Sequence, residues 1–265
     1  MQGRVLIIAG SDPSGGAGIQ ADIKTVTALG GYAAAAITSL TVQNTRGVAG
    51  VHPVDPQIIR AQIVAVLDDI GADAVKIGMI GERAAGVAIA DALVEYAAAI
   101  PIILDPVLIA TSGDALAEES IPSLLLERLV PLAAIVTPNS DEAARLTGIA
   151  IRTSDDLVAA GQALIRRGAT AALVKGGHLV GDTVEDALVT LDGARLFRSP
   201  RIETKSTHGT GCTLASAVAT GIAQGLPLAA AVKRAIDYVH EAIRTAPGYG
   251  GGCGPLNHAW PFQRG

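Results

Sequence analysis

Six short apolar runs, each nearly free of polar residues, set the strongest limit on what this chain can fold into. They are Val5–Ala9, Ala33–Ile37, Ala74–Ile77, Ile102–Leu104, Ala134–Val136 and Ala171–Val174, with helical patterns between them. A strand with one wet face alternates apolar and polar residues, so runs without alternation belong to strands covered on both sides. Such strands, interleaved with helices, form a mainly parallel sheet flanked by helices, the α/β class. The helix candidates include Pro56–Ile70, Arg83–Ala99 and Ser154–Arg167, and Ser154-Asp155-Asp156 reads as an N-cap with acids in its first turn. A hairpin is predicted from Leu188–Leu191 through Asp192-Gly193 to Arg195–Phe197, because Asp-Gly favours a primed turn. With no low-complexity linker and no internal repeat, residues 1–265 read as one domain.

Composition narrows the class of function. Apolar residues make up 49% of the chain, yet the apolar stretch Tyr96–Leu104 is stopped by Glu95 and Asp105, and a spanning helix needs about 20 residues. No membrane role is therefore expected. A net charge of −5 argues against nucleic acid as a partner. Two cysteines, Cys212 and Cys253, and no basic apolar leader before Val5 point to a reducing, cytoplasmic setting. Apolar helices with few aromatics leave a homodimer open.

In an open α/β sheet, ligands gather beyond the carboxyl ends of the strands. The residues that follow the runs are rich in polar groups and glycine: Gly10–Gly18, Thr41–Asn44, Gly78-Met79, Asp105–Val107, Thr137–Asn139 and Lys175–His178. The first loop lacks the Lys-Ser/Thr ending of a P-loop and the G-x-G-x-x-G spacing of a dinucleotide fold. Its glycines admit close approach of backbone to a flat ligand.

Gly209-Thr210-Gly211 carries more. It precedes Leu214, Val218 and Ile222, an i, i+4, i+8 stripe that marks a buried helix. The start of a helix presents free N–H groups and a partial positive charge, which together hold anions. Cys212 lies in that first turn, where a thiol's pKa can fall and a thiolate can serve as general base; a buried, inert cysteine is the competing reading. Lys175 beside such a turn is a candidate phosphate clamp. Glu142 and Asn139 follow another strand end, and their oxygens suit Mg²⁺, which needs only one or two protein ligands; both also suit a helix cap.

Ala9–Asp22, Thr41–Thr45, Val174–His178 and Thr207–Cys212 together resemble the hydroxymethylpyrimidine/phosphomethylpyrimidine kinases of thiamine biosynthesis, in the ribokinase-like superfamily. The likeness runs from about Val5 to His258. It implies a three-layer sandwich with ATP and Mg²⁺ at one edge of the central sheet and a pyrimidine beside them. Gln43 would read the pyrimidine edge, and Gly10, Asp12, Ala17, Val42, Met79 and Val107 would line its pocket. Gly209, Thr210 and Gly211 would form the anion hole, with Cys212 where most of the superfamily has an aspartate base. Thr207 and Lys175 would serve ATP, and Glu142 and Asn139 the Mg²⁺. Ser206 departs from the asparagine often found there, and Thr111-Ser112-Gly113 is one variant of a lid segment.

The resemblance implies two successive phosphorylations, of the hydroxymethylpyrimidine and then of its monophosphate. Pyridoxal/pyridoxine kinase is the alternative within the same chemistry, and a non-catalytic pyrimidine sensor the alternative outside it. Loose transition states put positioning ahead of base strength. Cys212→Ala is therefore expected to lower kcat by roughly 10²–10⁴-fold, the range of general-base contributions, and Gly211→Val by at least as much, both measured by steady-state turnover.

Overall fold

The computed structural model describes residues 2–108 and 118–263, so Thr111-Ser112-Gly113 lies outside the described residues. In chain order the elements are β1 (Arg4–Ser11), α1 (Gly18–Ala28), β2 (Tyr32–Asn44), β3 (Gly47–Pro53), α2 (Pro56–Asp69), β4 (Ala74–Ile77), α3 (Arg83–Tyr96), β5 (Ile102–Leu104), α4 (Ile121–Leu124, continued by a π turn Leu125–Leu129) and β6 (Ile135–Val136). They are followed by α5 (Ser140–Thr147), α6 (Ser154–Arg166), β7 (Ala171–Val174), β8 (Thr183–Thr190), β9 (Gly193–Pro200), α7 (Thr210–Ala223) and α8 (Leu228–Arg244). The nine strands of the described residues join one sheet in the order β3-β2-β1-β4-β5-β6-β7-β8-β9. The pairs from β2 to β7 are parallel, and antiparallel pairs close both edges.

The unbroken apolarity of the runs now has its cause. Along β1, Leu6 and Ile8 enter one core, with α2, α3, α5 and α6. Val5, Ile7 and Ala9 enter the other, with α1, α7 and α8. Successive strand residues point to opposite faces, and both faces are covered, so every position is selected for burial. No helix of the described residues is long and apolar enough to cross a membrane.

Three local readings change. The Ser154 cap moves back one residue: the Thr153 side chain accepts from the Asp156 amide and Asp156 returns the bond in a capping box. The hairpin turn is Leu191-Asp192, since Thr190 pairs with Gly193. A primed turn needs positive φ at its centre, and among the described residues only glycines have it. Lastly, Thr41–Asn44 do not form a loop after a short strand. β2 continues through them for 13 residues because β3, a glycine-bearing edge strand with little apolar signal, folds back on it from Asn44↔Gly47 to Ser39↔Pro53.

One buried ion pair ties the layers together under the carboxyl end of the sheet. Lys76 Nζ on β4 lies 2.8 Å from Asp22 Oδ2 on α1, and both side chains are fully buried. The Ser216 hydroxyl on α7 donates to the other carboxylate oxygen at 2.7 Å. Burial works most strongly against the Lys76 charge, but Asp22, Cys212 and Asp105 together outweigh it and raise the pKa. Lys76→Met leaves that carboxylate buried without its cation, so urea denaturation is expected to show a loss of about 3–5 kcal/mol, with recovery in Asp22→Leu/Lys76→Met.

Candidate active site

Each functional side chain reaches one region through the end of a strand or the start of a helix. Beyond β6 and β7, the bridge Asn139↔Lys175 prolongs the parallel pairing and sets those two residues alongside each other. Beyond β5 comes Asp105, 1% exposed. Its Oδ1 accepts from Lys175 Nζ and from Thr137 Oγ1, each at 3.2 Å. Its Oδ2 is buried with no hydrogen-bond partner among the described residues. A buried carboxylate oxygen in that state calls for a cationic or hydrogen-bonding partner.

Gly209 caps α7 at φ 81°, and a Cβ there would sit 1.8 Å from the Gly16 carbonyl oxygen. Only glycine lets the anion turn close onto the first loop. Gly211 lies beside the charged groups with less constraint, since an added Cβ would sit 3.1 Å from Lys175 Nζ and 3.6 Å from Asp105 Oδ2. The amides of Gly211 and Cys212 fall among those that a helix start leaves without intrahelical acceptors.

Two chambers open on this region. The smaller, about 120 Å³, is lined by Gly10, Ala17, Gln43, Met79 and Val107 together with Gly209, Gly211 and Cys212. The larger, about 660 Å³, takes in Thr207, Thr210 and the aliphatic side chains of α7 and α8, and its volume lies in the ordinary range of about 300–1,000 Å³ for ligand clefts. Asn139, Glu142, Lys175 and Gly211 line both chambers. Arg201 tethers the loop after Lys175, donating to the carbonyls of Gly177, Leu179 and Gly181.

Several expected roles shift. Asp12 does not line the small chamber. It is fully buried, and its carboxylate accepts from the Ser14 and Ala17 amides and the Ser14 hydroxyl. It also pairs with His208 Nε2 at 2.9 Å, so Asp12 shapes the loop and locks it to the anion turn. Burial pushes its pKa up, but His208, Ser14 and Ala17 prevail and hold it low. Val42 turns away and is 53% exposed, while Thr41 and Gln43 face the chamber; the period of two decides this. Asn139 Oδ1 accepts from the Glu142 amide in a capping box, so the oxygen read as a Mg²⁺ ligand also caps α5.

Asp105 stands among the strand-end residues and His208 within Thr207–Cys212, but the sequence assigns neither a role of its own. The signal for Asp105 was present, an acid directly after a fully apolar strand. That for His208 was absent, because its partner Asp12 is 196 residues away.

Electrostatics also alter Cys212. Burial pushes its thiol up to about 12; Lys76 pulls the other way, and Asp22 and Asp105 add to the rise. The Gly18 amide at the start of α1 hydrogen-bonds the sulfur and favours the thiolate, without overcoming burial and the two carboxylates. The expected helix-start depression is therefore reversed. Burial likewise pushes Glu142 up to about 7, opposed by Lys175 and aided by Asp105. Lys175 loses stability as a cation by burial, yet Asp105 and Glu142 raise its pKa overall.

A nine-stranded, mainly parallel sheet between two helical layers is the ribokinase-like architecture. Residues 12–257 match the family described as phosphomethylpyrimidine kinase, and the chain belongs to that family. It is 49% identical over 258 residues to the hydroxymethylpyrimidine/phosphomethylpyrimidine kinase of Rhizobium meliloti, covering 96% of each. It is 50% identical to the thiamine biosynthesis bifunctional protein ThiED of Geobacter sulfurreducens, with 97% of this chain matched; the match spans about half, 52%, of that longer protein. Among solved structures it resembles phosphomethylpyrimidine kinase from Clostridium difficile at TM-score 0.80 and 40% identity, covering 91% of this chain and 99% of that one. An ADP complex of Bacillus subtilis pyridoxal kinase gives TM-score 0.89 at 33% identity, covering 98% of each chain.

The raised thiol has a direct consequence. In the ligand-free protein, alkylation of Cys212 by iodoacetamide, followed on its peptide by mass spectrometry, is expected to keep accelerating with pH well past 9. A plateau near pH 7 would mean an ionised thiol and would contradict this.

Proposed function

We propose that this chain transfers the γ-phosphoryl group of ATP to the hydroxyl of 4-amino-5-hydroxymethyl-2-methylpyrimidine, and then a second group to the resulting monophosphate, in cytoplasmic thiamine biosynthesis. One observation carries the reading: a small chamber and a nucleotide-sized one meet at Asn139, Glu142, Lys175 and Gly211. Two reactants held in those chambers would face each other across the anion turn. The relatives' names supply the chemistry of the acceptor and donor.

In the transfer, the acceptor oxygen forms a bond to the γ-phosphorus, the bond from that phosphorus to the β–γ bridging oxygen breaks, and ADP leaves. The hydroxyl proton leaves once the new bond is largely formed, passing to an oxygen of the transferred phosphoryl group or to water. Gly209, Thr210 and Gly211 place amides and the positive end of α7 against the transferring oxygens. Lys175 adds a fixed charge, and Gln43 orients the ring from β2.

Asp105 and Glu142 fit a magnesium ion, because a buried carboxylate oxygen without a partner beside a second carboxylate is the donor set Mg²⁺ takes from protein. The ion would neutralise phosphate charge. Asn139 then serves through its helix cap, which orients Glu142.

Cys212 sits where the acceptor hydroxyl would be met, but with its thiol protonated it can accept a proton only after losing its own. Lys76 favours that loss, and Asp22 and Asp105 oppose it. A loose transition state needs the proton removed only late, so Cys212 contributes mainly as a hydrogen-bonding partner that fixes the hydroxyl.

Pyridoxal is the competing acceptor, since solved pyridoxal kinases share this fold closely. ATP consumption measured side by side is expected to give the higher kcat/KM for the hydroxymethylpyrimidine. A higher value for pyridoxal would overturn the substrate, and no ATP turnover with either would leave only a sensor. Asp105→Asn should raise the Mg²⁺ concentration needed for half-maximal rate by at least about tenfold.

A further inference from the structure

The chain that follows α8 takes no part in the chemistry above, yet it touches both halves of the site. It is tied down at three places in succession. The first is Thr45, in the turn between β2 and β3: the Cys253 amide donates to the Thr45 carbonyl at 2.8 Å and the Gly252 amide to the Thr45 hydroxyl at 3.3 Å. At the anion turn, the Gly254 carbonyl accepts from the His208 amide at 3.0 Å, and Pro255 bridges His208 in parallel. Near the start of α7, the His258 ring meets the Thr213 hydroxyl at 2.9 Å. Between the last two, Leu256 is buried in the core that α7 and α8 share.

The order of these attachments matters. Thr45 lies two residues beyond Gln43, which lines the small chamber, and His208 immediately precedes Gly209, the cap of α7. The ladder between β2 and β3 ends at Asn44↔Gly47, so the bonds from Gly252 and Cys253 extend the hold on β2 past the end of the sheet. Gly252 shows how close the fit is. It is not among the glycines with positive φ, so its backbone would admit a side chain, but a Cβ there would overlap the Thr45 carbonyl. We propose that residues 250–258 form a strap that sets the spacing between the Gln43 end of β2 and the anion turn, with Gly252 as a positioning residue for the phosphoryl acceptor. Phosphoryl transfer depends on alignment, and a misplacement of about 1 Å can cost ~10²-fold in rate. The inference rests on the small chamber holding the acceptor, and it gives a segment remote in sequence from β2 a share in placing that acceptor.

Gly252→Ala adds a methyl group from which the Thr45 carbonyl must move away. It is expected to lower kcat/KM for the hydroxymethylpyrimidine by at least about tenfold. If the strap acts through Gln43, the two effects do not add: Gln43→Ala/Gly252→Ala should stay within about twofold of Gln43→Ala alone, the margin seen for independent sites. A tail that only stabilises the fold would give a loss that adds in full. Unchanged kcat/KM in Gly252→Ala, or a fully additive loss in the double variant, would each overturn the proposal. Should the variants fold poorly or turn over too slowly to measure, amide hydrogen exchange in the unaltered protein decides. Coupling between two sites is reciprocal, so saturating hydroxymethylpyrimidine should slow exchange at the Cys253 amide by at least about fivefold, and exchange indifferent to it would overturn the strap. Native protein that neither binds nor phosphorylates the pyrimidine would sink the proposed function and this inference with it, whereas native turnover with an indifferent tail would sink the inference alone.

Discussion

A sheet covered on both faces leaves polar groups almost nowhere to go except the strand ends. β4, β5 and β7 are buried along their whole lengths. Their parallel direction sends Gly78, Asp105 and Lys175 out on the same edge, and the starts of α1 and α7 meet them there through Gly18 and Gly209. Concentration of charge at that edge is therefore a consequence of the hydrophobic arrangement. The same burial makes each charge dependent on its neighbours, since a lone one would be strongly disfavoured.

That dependence gives the site its character. Asp105 holds Lys175, Lys175 restrains the rise of Glu142, and Asp22 holds Lys76 beneath Cys212. Carboxylates and lysines balance here at close range, leaving one Asp105 oxygen unpaired toward the junction of the chambers. A thiol in that field stays protonated. The arrangement suits a reaction in which charge on the transferring group is stabilised, more than one that relies on a strong base at rest.

Much of this was legible along the chain. Near-continuous apolarity announced covered strands, and the glycines before Leu214 announced a helix start, because both signals are local. The extent of β2 was not, as its second half is held by β3, whose own residues carry little apolar signal. Val42 and Gln43 are adjacent in the chain and both read as pyrimidine-site residues; only the strand's pleat sends one outward and the other into the chamber. Asp12 looked like a pocket residue until its bonds to Ser14, Ala17 and His208 accounted for it. Cys212 departs from the helix-start expectation because a helix start lowers a thiol's pKa whereas desolvation and two nearby carboxylates raise it, and the latter cannot be counted from neighbours in sequence.

The amino-acid order alone determined the layered α/β plan, the edge at which polar and glycine-bearing strand ends collect and the glycine-opened start of α7, each of which follows from propensity and periodicity within a few residues. The tertiary structure decided which residues of those loops face a cavity, which are consumed in holding the loops together, and how each ionisable group is biased. Those outcomes depend on distance and burial between segments as far apart as Asp12 and His208 or Asp22 and Ser216. Electrostatic and packing energies act through space, and the chain records only the order in which the partners are joined.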